Sequence, residues 1–344
     1  MVESASEAPD GWSELARATG SFYHEPAWID GLARCFGLRV TYLALRTGRS
    51  LVGGLPLAEV PGLLGKRRLV SLPFSYAAGP FSAVPGAAAA LCDAARTLAM
   101  QRGVSRVEVK HFSPPDGVMP GYERVSKYAT YRVSTEGGPD AVWKRLHPSM
   151  IQRSVKKARK SGVQVVRGAS AAEWGLMADL QERTSHRLGL PAPPRRFFLE
   201  LCRTLQDQGL ADLYLAYLPQ GAAAAAIMLW KGTREWIYAF GASLPQFLEY
   251  RPNHVLIWTA LEDAARAGIT FDLGRAAPEQ QGLVEFKERW GGVPRPLAYD
   301  YWPHAGGLNA KPRDRGALAL AGRVWTRLPF AVARRGAFLY RYLG

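Results

Sequence analysis

The chain has 344 residues, 48% of them hydrophobic, and carries 44 Lys and Arg against 29 Asp and Glu, a formal net charge of +15. Such a globular chain buries a sizeable core and divides into about two domains, and its positive balance favours an anionic partner such as RNA, a nucleotide-linked sugar or an acidic membrane surface, with a basic solvated surface the common alternative. Cys35, Cys92 and Cys202 are far apart with no CxxC spacing, so neither a disulfide framework nor a thiolate metal site is suggested and a reducing compartment fits.

The N-terminus, rich in Glu, Ser, Asp and Ala, lacks the basic and then apolar pattern of a signal peptide, and no apolar run is long enough to span a bilayer. A cytoplasmic address is expected. Residues 40–44 and 51–57 read as strands paired around Thr47-Gly48. The stretch Leu91-Cys92-Asp93-Ala94-Ala95-Arg96 reads as an amphipathic helix, Gly103 as its stop, and the residues up to Val109 as a strand carrying one carboxylate, Glu108.

The same succession returns. Residues 213–218 and 223–230 read as strands around Pro219-Gln220-Gly221. Leu261-Glu262-Asp263-Ala264-Ala265-Arg266 reads as a helix that stops at Gly268, ahead of the strand Ile269-Thr270-Phe271-Asp272-Leu273 with its own carboxylate. A repeat of this size is a duplicated domain, since solenoid units are much shorter; chance similarity of two Ala-rich helices is the alternative. The turn residues Gly137-Gly138-Pro139 place the boundary, giving a first unit over 1–138, a second over 139–305 and a basic amphipathic C-terminal segment over 306–344.

After that boundary a basic helix is predicted from Pro148 to Lys160, with Pro148 at the first helical position and Ser161-Gly162 at the stop. Ile151, Val155 and Ala158 should pack inward, while Arg153, Lys156, Lys157 and Lys160 share another side with no acid among them. Four like charges on one face repel unless an anion compensates, and a phosphate backbone suits them. A solvated face whose long stems cover apolar surface is the alternative.

Tyr250-Arg251-Pro252-Asn253-His254 leads into the second helix. Such a junction offers backbone N–H groups to an anion and Arg251 would strengthen it, although no glycine lets the backbone close on a pyrophosphate. An ordinary helix entrance is the alternative. Past Asp272, Gly274-Arg275 and a polar connection lead to Glu285-Phe286-Lys287-Glu288-Arg289-Trp290-Gly291-Gly292. Ligands of α/β sheets gather where strands end and loops diverge, so Asp272, Arg275 and Lys287 are expected to converge, with Lys287 set against a developing oxyanion. The alternative makes Asp272 a cap or ion-pair partner and Lys287 a surface residue. Tyr76, Tyr238 and Tyr250 join Arg251 and Arg275 as candidate substrate contacts.

The tail from Arg315 sets Arg323, Arg327, Arg334, Arg335 and Arg341 among Leu, Val, Trp, Phe and Tyr. It is either a surface for anionic lipid or a segment packed on its own domain, with Pro329 interrupting any long helix. There is no GxSxG, Walker loop or HExxH, and the six histidines are scattered, so no covalent intermediate and no metal are expected.

The helix from Pro148 with Gly162-Val163-Gln164-Val165 after it, the run from Ala264 to Arg275, and Phe286-Lys287-Glu288-Arg289-Trp290-Gly291 together resemble the Fem family of peptidoglycan aminoacyltransferases, closest to its short FemAB-like branch. Leu69-Val70-Ser71-Leu72-Pro73-Phe74 and Val107-Glu108-Val109 extend the resemblance over nearly the whole chain. It implies an α/β fold of two tandem GNAT-like (acyl-CoA N-acyltransferase fold) domains, with mixed central sheets flanked by helices. It also implies transfer of an acyl or aminoacyl group onto an amine of a peptide, cell-wall precursor or small molecule. The implied donor is aminoacyl-tRNA, with acyl-CoA the alternative, and no cofactor is tightly bound. The family's Phe-Lys pair falls on Phe286-Lys287, which gives Lys287 the role of stabilising the reacting acyl group, and Glu108 falls on a family acid. With such a donor, Arg153, Lys156, Lys157 and Lys160 become the expected tRNA contacts, and Glu108 or Asp272 the candidates for proton transfer. A non-catalytic RNA-binding protein and a peripheral membrane module are the competing classes.

Overall fold

The computed structural model describes residues 1–62, 66–111, 117–303 and 315–342. In chain order the first stretch forms β1 (Val2–Ala5), α1 (Trp12–Thr19), α2 (Pro26–Phe36), β2 (Arg39–Thr47), β3 (Ser50–Pro61), β4 (Arg67–Val70), β5 (Phe81–Ser82), α3 (Ala87–Gln101), β6 (Val107–His111) and β7 (Glu123–Val133). There follow α4 (Gly138–Arg145), α5 (Arg153–Lys160), β8 (Gln164–Gly168), α6 (Ala171–Arg187), α7 (Arg203–Asp207), β9 (Ala211–Tyr217), β10 (Ala223–Lys231) and β11 (Glu235–Ser243). The last stretch holds α8 (Pro252–Arg266), β12 (Thr270–Ala276), α9 (Gln281–Arg289), β13 (Val293–Trp302), α10 (Arg315–Arg327) and α11 (Phe330–Arg335).

Two compact units emerge. One is Met1–Tyr128 with Pro296–Leu318 and Leu339–Gly344; the other is Ala129–Arg295 with Ala319–Phe338. The division falls inside β7, ahead of the turn at 137–139 where the sequence placed it. Gly137 and its neighbours serve a smaller purpose: Gly137, at φ 81°, is the N-cap of α4, so the turn chemistry marks a helix start.

In the first unit the strands run β1-β2-β3-β4-β6-β13, with β5 on β3. The pairs are antiparallel except β4 with β6, which is parallel. A parallel pair needs a long crossover, and α3 lies in that connection. Its Leu91, Cys92, Ala95 and Ala99 bury against Leu43, Leu55, Leu57, Leu69, Val107 and Val109. Elsewhere in this unit Trp12 meets Tyr42 and Phe81 edge-on at 4.8 and 4.9 Å.

In the second unit the order is β8-β9-β10-β11-β12, continued by residues 129–133 of β7. Here too one pair is parallel, β11 with β12, and α8 is its crossover. The predicted repeat is therefore present in space: β2, β3, β4, α3 and β6 match β9, β10, β11, α8 and β12, and both helices stop at a glycine, Gly103 and Gly268. The apolar side of α8 packs Leu256, Ile257, Trp258 and Leu261 into a core shared with Val142, Leu146, Ile151, Val155 and Ala158. Those last three are the inward residues expected of the basic helix, which opens with a π-turn over Pro148–Gln152 before α5.

Residues 319–338 of the C-terminal segment pack on the second unit. Phe330 lies edge-on to His186 of α6 at 5.7 Å and under the Arg183 guanidinium at 5.4 Å, and Arg334 pairs with Glu182 at 3.1 Å. Pro329 separates α10 from α11, as its missing N–H dictates. No helix among the described residues is long and apolar enough to cross a membrane.

Candidate active site

The ladder between β11 and β12 is short. Glu235 faces Thr270, Trp236 faces Phe271 and Ile237 faces Asp272, and there the pairing ends although both strands continue. Each strand is bulged just beyond. In β11 the register to β10 slips between Met228 and Leu229, leaving Ala239 out of the pairing. In β12 the register to β7 slips between Asp272 and Arg275. A bulge bends its strand and sharpens its twist, so the two devices part a pair of neighbouring parallel strands at their C-terminal ends.

Gly274 makes the β12 bulge possible. Its φ of 80° lies in the left-handed region that β-carbons disfavour, and a Cβ there would stand 3.3 Å from the Tyr238 carbonyl oxygen and 3.7 Å from Lys287 Nζ. Asp272, fully buried, ties the bulge from within. Its Oδ1 accepts from the Gly274 N–H at 2.7 Å and from the Thr130 hydroxyl, and its Oδ2 lies 3.7 Å from Arg132 Nε. Arg132 also pairs with Glu235, whose carboxyl is pushed up from the usual range first by burial and then by Asp272.

Lys287 closes the arrangement. It is the buried residue of α9, 5% exposed, and its Nζ donates to the carbonyls of Leu273 and, at 2.8 Å, of Gly274. The ammonium also lies 5.8 Å from the Tyr131 ring centroid. Burial brings it down to about 8 against the opposing pull of Asp272. An ammonium has three N–H donors, so two on bulge carbonyls leave one for an incoming oxygen. The helix is anchored by Trp290, fully buried, with His254 of α8 6.2 Å from its ring. Burial and the neighbouring Arg251 hold His254 down at about 4, a neutral ring at ordinary pH.

The structure thus brings Lys287 and Asp272 together and sets the Tyr238 backbone against them. Burial pushes the Tyr238 hydroxyl up to about 12. Arg275 is exposed on the outer side of the same bulge. Arg251, exposed and left-handed at φ 57°, is the N-cap of α8, and Tyr250 precedes it, half-buried. Arg153, Lys156, Lys157 and Lys160 are all exposed on α5, together with Arg159. Glu108 and Tyr76 belong to the first unit: Glu108 is buried in ion pairs with Arg68 at 3.2 Å and Lys110 at 3.8 Å, and Tyr76 meets Tyr23 edge-on at 5.2 Å. Thr130, Tyr131, Arg132 and Glu235 complete the cluster, and no local sequence signal marks them. Beyond the end of β11 an open cleft of about 450 Å³ is lined by Arg183, His186 and Arg187 with Ser243, Leu244 and Phe330.

Parted parallel strands after a crossover helix, with a buried lysine at the parting, define an acyltransferase-type α/β fold. Residues 147–288, within the second unit, match the family model of an acetyltransferase (GNAT) domain. The chain as a whole has the tandem GNAT-like fold of the Fem type. It is similar to FemX, with a TM-score of 0.68 at 16% identity over 87% of this chain and 96% of that one. It is similar also to L-PGS from Bacillus licheniformis, with a TM-score of 0.56 at 11% identity over 94% and 99%. A tandem GNAT protein from the clavulanic acid biosynthesis pathway superposes with a TM-score of 0.52 at 16% identity over 87% and 98%. None of the curated proteins matches the sequence.

Proposed function

We propose that the protein is an aminoacyltransferase that moves an aminoacyl group from aminoacyl-tRNA onto an amine of a peptide, cell-wall precursor or small molecule, forming an amide. The observation that carries the reading is the parting of β11 and β12 at Gly274 with the Lys287 ammonium behind it. In the reaction the acceptor nitrogen attacks the acyl carbonyl carbon. The N–C bond forms, the ester C–O bond to the tRNA ribose breaks, and the amine proton passes through solvent to the leaving ribose oxygen. Lys287 supplies its third N–H to the carbonyl oxygen as negative charge gathers there. Asp272 is a positioning residue in this scheme, because it is buried and its oxygens already serve hydrogen bonds and an ion pair. The exposed arginines Arg251 and Arg275, with Tyr238 and Tyr250, are assigned to substrate contact.

The donor assignment rests on α5, which presents five exposed cations and no acid in eight residues. A phosphate backbone neutralises such a stripe without needing sequence-specific contacts. Acyl-CoA is the second reading, favoured by the match of residues 147–288 to the GNAT model; the same slot would then see a thioester C–S bond break. Charged tRNA and acyl-CoA, each isotopically labelled in the acyl group, would be offered separately with mixed amine acceptors, and the products read by mass spectrometry. Amide formation from charged tRNA is expected, with a loss of about a hundredfold or more in a Lys287→Met variant that still melts cooperatively. Undiminished transfer in that variant would overturn the site, and transfer from CoA alone would overturn the donor.

A further inference from the structure

The C-terminal hairpin of α10 and α11 spends one face on its own unit and leaves the other unclaimed. Inward, Phe330 lies between Arg183 and His186, Ala333 is buried, Arg334 pairs with Glu182, and the Leu328 carbonyl accepts from His186 Nε2 at 3.0 Å. Trp325 shares a small cavity with Phe330 and Ala333 on that side. Outward stand Arg323 and Arg327 on α10 and Arg335 on α11, all exposed. Also exposed are Val324 on α10, Val332 on α11 and Phe338 in the turn that follows, at 53, 49 and 65%. From Arg315 to the C-terminus the sequence contains no Asp or Glu, and among the described residues no carboxylate pairs with those three arginines.

We infer that this outer face docks on an anionic lipid surface. Charge complementarity supplies the attraction, each basic side chain adding to it near an anionic leaflet. The exposed apolar residues select the partner. A phosphate backbone alone rewards arginines but gains nothing from exposed valines, whereas the headgroup boundary takes up both. The inner face is already satisfied by α6, so docking requires no unfolding of the hairpin. Phe330 also walls the cleft beyond β11, so a docked hairpin sets that cleft beside the membrane.

Full-length protein would be sedimented with sucrose-loaded vesicles of phosphatidylcholine alone or mixed with phosphatidylglycerol, at two salt concentrations. Binding is expected only with phosphatidylglycerol and weaker at higher salt. Arg323→Glu with Arg327→Glu should lower partitioning by about thirtyfold or more, from roughly fivefold per basic side chain. Val332→Asp with Phe338→Asp should lower it comparably, while Arg323→Lys with Arg327→Lys should keep it. Equal binding to both vesicle types, or wild-type binding by the charge-reversed pair, would overturn the proposal. So would a pattern in which those variants lose tRNA and keep vesicles. Vesicle binding is read without turnover, so its failure is separate from failure of the transfer reading.

Discussion

Lys287 is a cation that its surroundings make costly. Burial brings it from the ordinary lysine range to about 8, so the folded chain binds its proton less tightly than the unfolded chain does. Folding stability at this residue is therefore fullest above the unfolded lysine range, falls as pH drops through about 8, and stays low below it. The catalytic sign is opposite: only the protonated form stabilises an oxyanion, so transfer should fall as pH rises through about 8. A pH–rate profile checks this, and the descending limb should vanish in Lys287→Met. Gly274→Ala tests the bulge itself. A left-handed alanine loses about 1–2 kcal/mol, and its Cβ would crowd the Tyr238 carbonyl. A lowered melting temperature together with slower transfer is expected, and a wild-type rate would show that the bulge geometry is dispensable. His24, in the first unit, is held neutral. Its Nδ1 accepts from the Ser21 N–H at 3.0 Å, its Nε2 donates to the Gly79 carbonyl at 2.8 Å, and burial lowers it to about 4. The unfolded ring takes up a proton first as pH falls, so stability present above the usual histidine range should drain away down to about 4, by roughly 3 kcal/mol. Urea melts at pH 7 and pH 4.5 measure it, with His24→Gln as the flattened reference. Asp272 could be read locally as a strand-end carboxylate and Lys287 only through the Phe-Lys pair of the Fem resemblance; the helix that carries Lys287 was not anticipated. Thr130 and Arg132 were not legible: Thr130 meets Asp272 across 142 residues of chain, and only strand register decides that pairing.

Three helices declared themselves by period while others, the 17-residue α6 among them, did not, and strands showed unevenly. The inward and outward sets of the basic helix followed from 3.6-residue spacing alone, and α3 and α8 from Ala-rich runs ending at glycine. Two strands of the repeat left no such trace, for different reasons. β4 has four residues, too few to show alternation. β11 is long enough, but its bulge at Ala239 shifts the residues beyond it to the other face, so no single period of two fits Glu235–Ser243. The irregularity that hid the strand is the one that parts it from β12. At α5 the consequence of exposure is measurable. Lys156→Glu with Lys157→Glu touches no packed side chain, so stability should stay within about 0.5 kcal/mol. Relief of like-charge repulsion along the helix favours the substituted form slightly. Affinity for tRNA should drop, and the slope of log affinity against log salt should fall by about 2, one for each phosphate no longer neutralised. An unchanged slope would remove α5 from the nucleic-acid surface and move the donor reading to acyl-CoA.

At the scale of the molecule, each unit draws a strand from outside the span that the turn at 137–139 marks off. The first unit needs β13, whose residues from Ala298 to Trp302 pair with His111 to Val107 of β6. It needs Asp300 above all: this fully buried carboxylate accepts from His111 at 3.1 Å and holds Arg124 in a fork at 2.7 and 2.8 Å, contacts that pull it below the usual carboxylate range. The second unit needs residues 129–133, which pair with β12 and include Thr130 and Arg132 beside Asp272. Cutting the chain between residues 138 and 139 therefore strips the first fragment of Asp300, taking the carboxylate from Arg124 and from buried His111, a loss of the order of 3–5 kcal/mol for the broken Arg124–Asp300 pair. The edge of β6 is bared as well, an invitation to pair with other chains. The second fragment loses the partner strand of β12 together with the cluster that holds the Gly274 bulge. Neither half, expressed alone, should unfold cooperatively or stay monomeric, and both should aggregate. Appending residues 293–303 to the first fragment through a flexible linker should restore a soluble, cooperatively melting unit, whereas the same extension with Asp300→Ala should not. A cooperative melt of the bare 1–138 fragment would mean that the sheet tolerates β6 as an edge, and that the turn at 137–139 is a domain border after all.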